Sequence, residues 1–348
     1  MSKFHNLIVK NIVHETANAV SVVFDVPENL KPNFSFKSGQ YITLKTLIDS
    51  KEIRRAYSIS STPKSGELKV TIKAIENGTF STYATSQLRI GDVLEVHEPE
   101  GQFILQPSKS NNYIGFAAGS GITPILSMIK SVLQQEPTSS FTLIYGNKSI
   151  EETIFKSELD ALSKKYNSQF NLHYIFSRQK NDGSLWGRID QEYTNYFVNN
   201  LYKNWFFESA YLCGPEKMIK TVSSTLLENG FTESQLFFEL FTTSVDEDKV
   251  SKIKDDETQV TILLDDEEFS FTMKQTDDLL AASLRNNIDI PYSCQGGVCS
   301  SCLGRVTTGN AIMTKNSILT DDEVDDGFIL TCQAYPTTSK ISIDFDDI

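Results

Sequence analysis

The sequence predicts a multidomain chain of three segments: an all-β segment, an α/β segment with a parallel sheet, and a small α+β segment that carries a group of cysteines. Three observations predict it. Short strands parted by turn residues fill residues 1–107, strands and helices alternate over 108–241, and the charge steps sharply near residue 256. The 348 residues suffice for two or three domains, and 39% hydrophobic with 11% aromatic residues supplies their cores. From 257 to 348 there are 16 Asp and Glu against 5 Lys and Arg, a net of −11, so the first 256 residues carry only −2 of the total −13. The stretch 242–259 is polar and charged and reads as a linker, which puts the third domain at 260–348.

In the first segment, Asn6–Val13, Ala19–Val26, Tyr41–Thr46 and Leu68–Ile75 are rich in β-branched residues and bounded by turn formers, a pattern of a small barrel or sandwich. The second segment reads as strands at Tyr113–Ala118, Phe141–Tyr145, Phe170–Phe176 and Ala210–Cys213. Helices are expected at Ile125–Gln135, Ile150–Tyr166 and Pro215–Asn229. Such a sheet binds ligands beyond the carboxyl ends of its strands. The third segment opens with a hairpin, Val260–Leu264 and Glu268–Met273, followed by a short helix at Asp278–Asn286.

Composition excludes several classes. The acidic balance makes nucleic acid a poor partner, since phosphate binding needs clustered cations. No apolar run reaches the ~18 residues of a membrane span, and Met1–Val13 alternates rather than forming a secretory signal, so the expected compartment is the cytoplasm.

The strongest chemical signal is Cys294-x4-Cys299-x2-Cys302, with 29 residues before Cys332. This is the spacing of a plant-type [2Fe–2S] ligand set. A zinc site, the competing reading, favours paired C-x2-C units, and only Cys299 and Cys302 have that spacing. Gly296 and Gly297 give the loop its freedom to bring N–H groups to the sulfurs, with Ser300 and Ser301 as small polar donors.

Five further motifs are weaker alone. Arg55 and Tyr57 share a strand face, where a guanidinium can fork onto a phosphate and a ring can stack on a flat partner; an ordinary strand looks the same. Gly78-Thr79-Phe80-Ser81-Thr82 opens an expected helix at Ser81–Gln87, as a phosphate site or a plain N-cap. Gly119-Ser120-Gly121-Ile122-Thr123-Pro124 follows a strand and opens a helix, the context of a dinucleotide phosphate loop or a bare turn. Cys213-Gly214-Pro215 repeats the arrangement, and Cys213 alone could be a core residue. Ser177 and Arg178 end a strand where an adenosine ribose would lie; with Arg188 and Lys148 they suit a 2′-phosphate, though solvated basic residues would look alike.

Together, RRAYSISS, AAGSGITPILSMIK, YLCGPEKMI, FFELF, and YSCQGGVCSSC followed by LTCQAYP resemble the ferredoxin–NADP reductase superfamily fused to a plant-type ferredoxin. More narrowly, the chain resembles the reductase components of bacterial multicomponent oxygenases. The resemblance implies a six-stranded antiparallel flavin barrel, an α/β nicotinamide domain and a β-grasp ferredoxin domain. It implies that Arg55 binds the flavin pyrophosphate, Tyr57 packs on the isoalloxazine and Ser58 approaches its N5. Gly78, Phe80, Ser81 and Thr82 would hold the phosphate, with FAD favoured over FMN. Gly119, Gly121, Thr123, Pro124, Gly214 and Pro215 would line the nicotinamide site, with Cys213 beside the reacting ring. Glu239 and Phe241 would approach the flavin face, Glu239 assisting proton transfer. Cys294, Cys299, Cys302 and Cys332 would be the metal ligands.

The expected function is NADPH oxidation with electrons passing through FAD and [2Fe–2S] to an oxygenase component, a di-iron monooxygenase, docked through acidic charge. The linker would let the ferredoxin domain reach first the flavin and then the acceptor. The alternatives are a reductase of a Rieske or other oxygenase, with FMN or NADH, and a redox sensor without catalysis.

Overall fold

The computed structural model describes residues 4–105, 107, 111–241 and 245–348. They fall into two compact units, one ending at Glu239 and the other beginning at Leu240.

The first unit opens with β1 (Phe4–Thr16), β2 (Ala19–Asp25), β3 (Tyr41–Ile48), β4 (Lys51–Ser58), β5 (Leu68–Lys73) and β6 (Val93–His97). They pair antiparallel in the order β4-β3-β6-β1-β2-β5. The sheet curls until Ile59, just past β4, bridges Val70 in β5. Alternate residues turn inward (Leu7 and Val9, Val20 and Val22, Ile42 and Leu44) and form the barrel core. Helix α1 (Thr79–Ser86) closes that core with Phe80 and Ala84. It starts two residues earlier than its sequence suggests, because Gly78 occupies the N-cap position.

The same unit continues with β7 (Asn112–Ala118), β8 (Ser140–Asn147), β9 (Phe170–Phe176), β10 (Leu185–Trp186), β11 (Ser209–Cys213) and β12 (Leu236–Glu239). All pair parallel, in the order β10-β9-β8-β7-β11-β12. The chain runs outward from β7 through β8 and β9, then returns to place β11 on the other side of β7. That reversal opens a crevice at the carboxyl ends of β7 and β11. Helices α2 (Ile122–Gln135), α3 (Lys156–Lys165), α4 (Gln191–Asn195) and α5 (Glu216–Glu228) connect the strands.

Two helices differ from expectation. The helix expected over 150–166 begins only at Lys156, because Phe155 adopts a left-handed φ of 62° while Ile154 and Phe155 bury in the core as a turn. Pro215 is the N-cap of α5 rather than its first helical residue. Helix α2 also fastens the sheet to the barrel. Ser127 Oγ donates to Ser61 O at 2.5 Å, the Ser38 and Ser131 hydroxyls lie 2.6 Å apart, and Thr62 Oγ1 donates to Gln134 Oε1 at 3.3 Å. Ser127, Ser131 and Gln134 share one helix face.

The second unit contains α6 (Glu247–Val250), β13 (Glu257–Leu264), β14 (Glu267–Lys274), α7 (Leu279–Arg285), β15 (Leu303–Thr308), β16 (Ala311–Met313), α8 (Asp321–Asp325), β17 (Phe328–Leu330), β18 (Ala334–Pro336) and β19 (Lys340–Asp344). The main sheet runs β14-β13-β19-β15-β17, with β13 and β19 parallel, and β16 pairs with β18. Leu279, Leu280 and Ala282 of α7 pack on Val260, Ile262, Ile341 and Ile343. The hairpin turns at Asp265 and Asp266, both left-handed, and their N–H groups donate to the Asp346 carboxylate at 2.9 Å each. Of the expected linker, 242–244 lie outside the described residues. Downstream, Asp246 caps α6, its N–H donates to Thr314 O at 2.8 Å, and β13 already begins at Glu257. Among the described residues no helix is long and apolar enough to cross a membrane.

Candidate functional site

Strand β4 carries Arg55, Tyr57 and, at its end, Ser58. Arg55 and Tyr57 are half-buried on one face. Arg55 Nη1 donates to Arg54 O at 2.6 Å, and the Tyr57 ring centroid lies 5.7 Å from that of Phe80. Burial pushes the Tyr57 phenol well above its ordinary range, so it remains a neutral, packable ring. Helix α1 has no side-chain cap, which leaves its first N–H groups open to an anion. A Cβ at Gly78 would collide with Ser81 Oγ and the Ile75 side chain, so the cradle is closed to larger residues. An aromatic face, a guanidinium and an uncapped helix start fit a flavin with its phosphates.

Ser58 Oγ donates to Glu239 Oε2 at 3.0 Å, joining the barrel to the last strand of the parallel sheet. Glu239 stands opposite Cys213 in the β11–β12 register. Burial raises the Glu239 carboxyl to about 8, so it holds its proton at neutral pH, and Ser58 moderates the rise. Burial, then the nearby Glu239 charge, holds the Cys213 thiol far above its usual range, which makes it a neutral thiol and not a nucleophile. Phe241 lies two residues past β12, in the second unit, and is exposed.

The two glycine loops touch. Gly119–Gly121 forms a 3-10 turn leading into α2, and a Cβ at Gly121 would strike Cys213 O and the Gly214 N–H. Tyr145 OH donates to Gly119 O at 3.0 Å and Thr123 Oγ1 to Ser120 O at 3.0 Å, while Pro124 is buried in the first turn of α2. A Cβ at Gly214 would press on Met218 and Ala118. Pro215 directly precedes α5. Past β9, the Ser177 and Arg178 N–H groups donate to Asn147 O and Lys148 O at 3.0 and 2.9 Å. Lys148 pairs with Glu152 at 3.4 Å, whereas Arg178 and Arg188 are exposed and make no ion pair among the described residues. In the segment that separates them in sequence, Lys180, Asn181, Asp182, Ser184, Leu185 and Trp186 line a cleft of about 560 Å³, with Lys180 Nζ 5.6 Å from the Trp186 ring.

Sequence reasoning missed Trp186 and Lys73. Lys73 ends β5, half-buried, with Nζ 3.9 Å from where a Gly119 Cβ would stand. Burial lowers its pKa, Glu152 opposes this, and Lys148 reinforces it. The available signal was weak, because β5 alternates and carries a second lysine, Lys69, as well as Lys73.

In the second unit, Cys299, Cys302 and Cys332 are buried, Cys294 is the most exposed, and all are free thiols. Their sulfurs converge: Cys294 interacts with Cys299 and Cys332, and Cys302 with Cys332. Hydrogen bonds from Cys299 and Cys332, then from the Gly296 and Val298 N–H groups, push the Cys294 thiol strongly toward thiolate. The Gly296 N–H lies 3.3 Å from Cys294 Sγ. The loop takes left-handed turns at Gln295 (φ 54°) and Gly297 (φ 70°). Outside residues stitch its carbonyls: Gln333 Nε2 donates to Gln295 O (3.1 Å), Ser317 Oγ to Gly297 O (2.9 Å), and Thr331 N and Oγ1 to Cys302 O (3.0 and 3.1 Å). Converging thiols ringed by N–H donors fit an anionic iron–sulfur centre. None of the stitching residues was foreseen, although Gln333 and Thr331 flank a ligand in sequence.

These sites match three families in series: an oxidoreductase FAD-binding domain over 6–104, an oxidoreductase NAD-binding domain over 116–224, and a 2Fe-2S iron-sulfur cluster binding domain over 262–337. The chain belongs to the oxygenase reductase components of the ferredoxin–NADP reductase superfamily, with FAD-binding, NAD-binding and 2Fe-2S domains in that order. It is 39% identical over 351 residues to one of the subunits of 1,2-phenylacetyl-CoA epoxidase of Escherichia coli (strain K12), covering 99% of each chain. It is 32% identical to the ferredoxin reductase component of 3-ketosteroid-9-alpha-monooxygenase of Rhodococcus rhodochrous, covering 97% of this chain and 96% of the relative. In fold it is similar to phthalate dioxygenase reductase, with a TM-score of 0.67, 22% identity and 98% of each chain covered.

Proposed function

We propose that this reductase oxidises NADPH in preference to NADH and supplies single electrons to a di-iron monooxygenase acting on phenylacetyl-CoA, in phenylacetate catabolism. The Ser58–Glu239 hydrogen bond carries the reading, because it sets the end of the barrel strand against the carboxyl ends of the parallel strands. A flavin bound there converts a two-electron hydride into the single electrons that an iron–sulfur centre accepts.

The chain's own residues have distinct tasks in this reading. Arg55 and the start of α1, with Gly78, Phe80, Ser81 and Thr82, hold the FAD phosphates, and Tyr57 packs on the ring. Gly119, Gly121, Thr123 and Pro124 admit the nicotinamide nucleotide against Gly214 and Pro215, and Lys73, beside Gly119, reaches that nucleotide's phosphates from the barrel. Cys213 fills the space beside the nicotinamide as a neutral thiol. Ser58 holds Glu239, which keeps a proton at its carboxyl. Ser177, Arg178 and Arg188 take the 2′-phosphate; two exposed guanidinia that make no ion pair among the described residues support that choice. Cys294, Cys299, Cys302 and Cys332 hold the cluster. We further propose domain limits of 1–107, 108–241 and 260–348 with a linker at 242–259, and a cytoplasmic site, for which the uncrosslinked thiols speak.

The test is NADPH-driven turnover of the loaded protein, first with an artificial one-electron acceptor and then with a purified phenylacetyl-CoA monooxygenase. Absence of turnover with full flavin and iron rejects the enzyme reading. Turnover with the artificial acceptor but not the monooxygenase rejects the acceptor. Cys299→Ser should stop transfer to the protein acceptor and leave flavin reduction intact.

A further inference from the structure

We propose that Gln333 is a positioning residue for the iron–sulfur centre: through the Gln295–Gly296 peptide it holds an N–H against the Cys294 sulfur and thereby raises the reduction potential. The inference rests on the cluster reading above, and it concerns a residue that is not a ligand.

One peptide group links the two contacts. Its carbonyl, Gln295 O, accepts from Gln333 Nε2 at 3.1 Å, and its N–H, on Gly296, points to Cys294 Sγ at 3.3 Å. A donor on the carbonyl polarises the amide and strengthens the bond its N–H makes. It also fixes the plane of a peptide whose first residue, Gln295, is in the left-handed region at φ 54°, a conformation that a non-glycine residue keeps only when its surroundings impose it.

The Gln333 amide is itself held. Thr314 Oγ1 donates to Gln333 Oε1 at 3.2 Å, and the Thr314 N–H donates to Gln333 O at 3.0 Å. With its oxygen so occupied, the nitrogen must face Gln295 O, and only the nitrogen can donate to a carbonyl. The Gln333 stem also packs on the loop: a Cβ at Gly297 would stand 3.1 Å from Gln333 Cγ and 2.9 Å from Lys315 O. Gln333 follows Cys332 directly, so one short segment delivers both the fourth thiolate and the clamp on the Gln295–Gly297 part of the loop that carries the other three.

Reduction adds negative charge to the cluster, and N–H groups aimed at its sulfurs favour the reduced state. Loss of the clamp therefore lowers the potential. The experiment uses the full chain loaded with iron and flavin and measures the potential by redox titration, with the paramagnetic resonance spectrum of the reduced centre as a second readout. Gln333→Met keeps length and packing and removes the donor. It should lower the equilibrium constant for one-electron reduction by up to about tenfold, or about 59 mV, and shift the resonance. Thr314→Val, which frees the amide and also removes the Thr314 contact to Tyr335, should shift both readouts the same way by less, and the double variant should match Gln333→Met alone. A loaded Gln333→Met with unchanged potential and resonance overturns the inference. Should that variant fail to take up iron, an unchanged Thr314→Val overturns it instead. A parent protein without a [2Fe–2S] signal overturns the cluster reading itself.

Discussion

Glu239 is a carboxyl that behaves as an acid at neutral pH. Its burial costs the charged form more than the Ser58 hydroxyl returns, so its pKa rises to about 8. Because the folded value exceeds the unfolded one, its contribution to stability is full at low pH and is lost as pH rises through about 8. In the proposed site the same proton is lost from beside the flavin. Flavin reduction by NADPH, followed by stopped flow, should therefore slow as pH is raised through 8. Glu239→Gln, which mimics the protonated form, should flatten that fall, and a profile that the variant leaves unchanged removes Glu239 from the proton path. Arg178 offers a second test at this scale. A charge-assisted contact to a 2′-phosphate is lost in Arg178→Ala, so kcat/KM for NADPH should drop about tenfold or more while that for NADH stays within about twofold. Equal losses for both coenzymes would falsify the 2′-phosphate role.

The elements show what could be read from the chain and what could not. The cysteine spacing was legible because one loop supplies three sulfurs, so covalent order fixes the geometry. The strands Ala19–Asp25 and Phe170–Phe176 were legible from β-branched and apolar density. The start of α3 was not, because apolar spacing continues through Ile154 and Phe155, and only tertiary burial turns them into a left-handed stop. Nor was the meeting of Ser58 with Glu239, 181 residues apart, which depends on how the barrel seats on the sheet. That seating relies on one face of α2. Ser127 is fully buried and donates to the Ser61 carbonyl. Ser127→Val leaves that carbonyl without its donor and should cost about 1–3 kcal/mol in denaturant unfolding. A change within a few tenths of a kcal/mol would show that the helix is held to the barrel by packing alone.

At the scale of the whole chain the charge is not spread evenly: residues 257–348 carry a net −11 and the preceding 256 only −2. Within that acidic region the loop holding three cysteines is nearly neutral, with Asp289 the single charged residue between 287 and 302. The acids sit instead on α8, at the Asp265–Asp266 turn and at Asp344, Asp346 and Asp347. This division suits long-range attraction by the flanks and close approach through an uncharged rim of Gln295 and Ser300, where desolvating charge would be costly. A partner recognised in this way is basic, and its encounter is screened by salt. Raising ionic strength from about 50 to about 500 mM shortens the screening length from about 14 to about 4 Å. The second-order rate of electron transfer from the pre-reduced chain to its oxygenase should then fall by about tenfold or more, while oxidation by a small neutral quinone should hardly change. Reversing the α8 charges, Asp321→Lys with Asp322→Lys, should reproduce the high-salt rate at low salt. If the rate to the oxygenase is flat in salt, the acidic flanks play no part in the encounter, and selection of the acceptor falls to the neutral rim around Cys294.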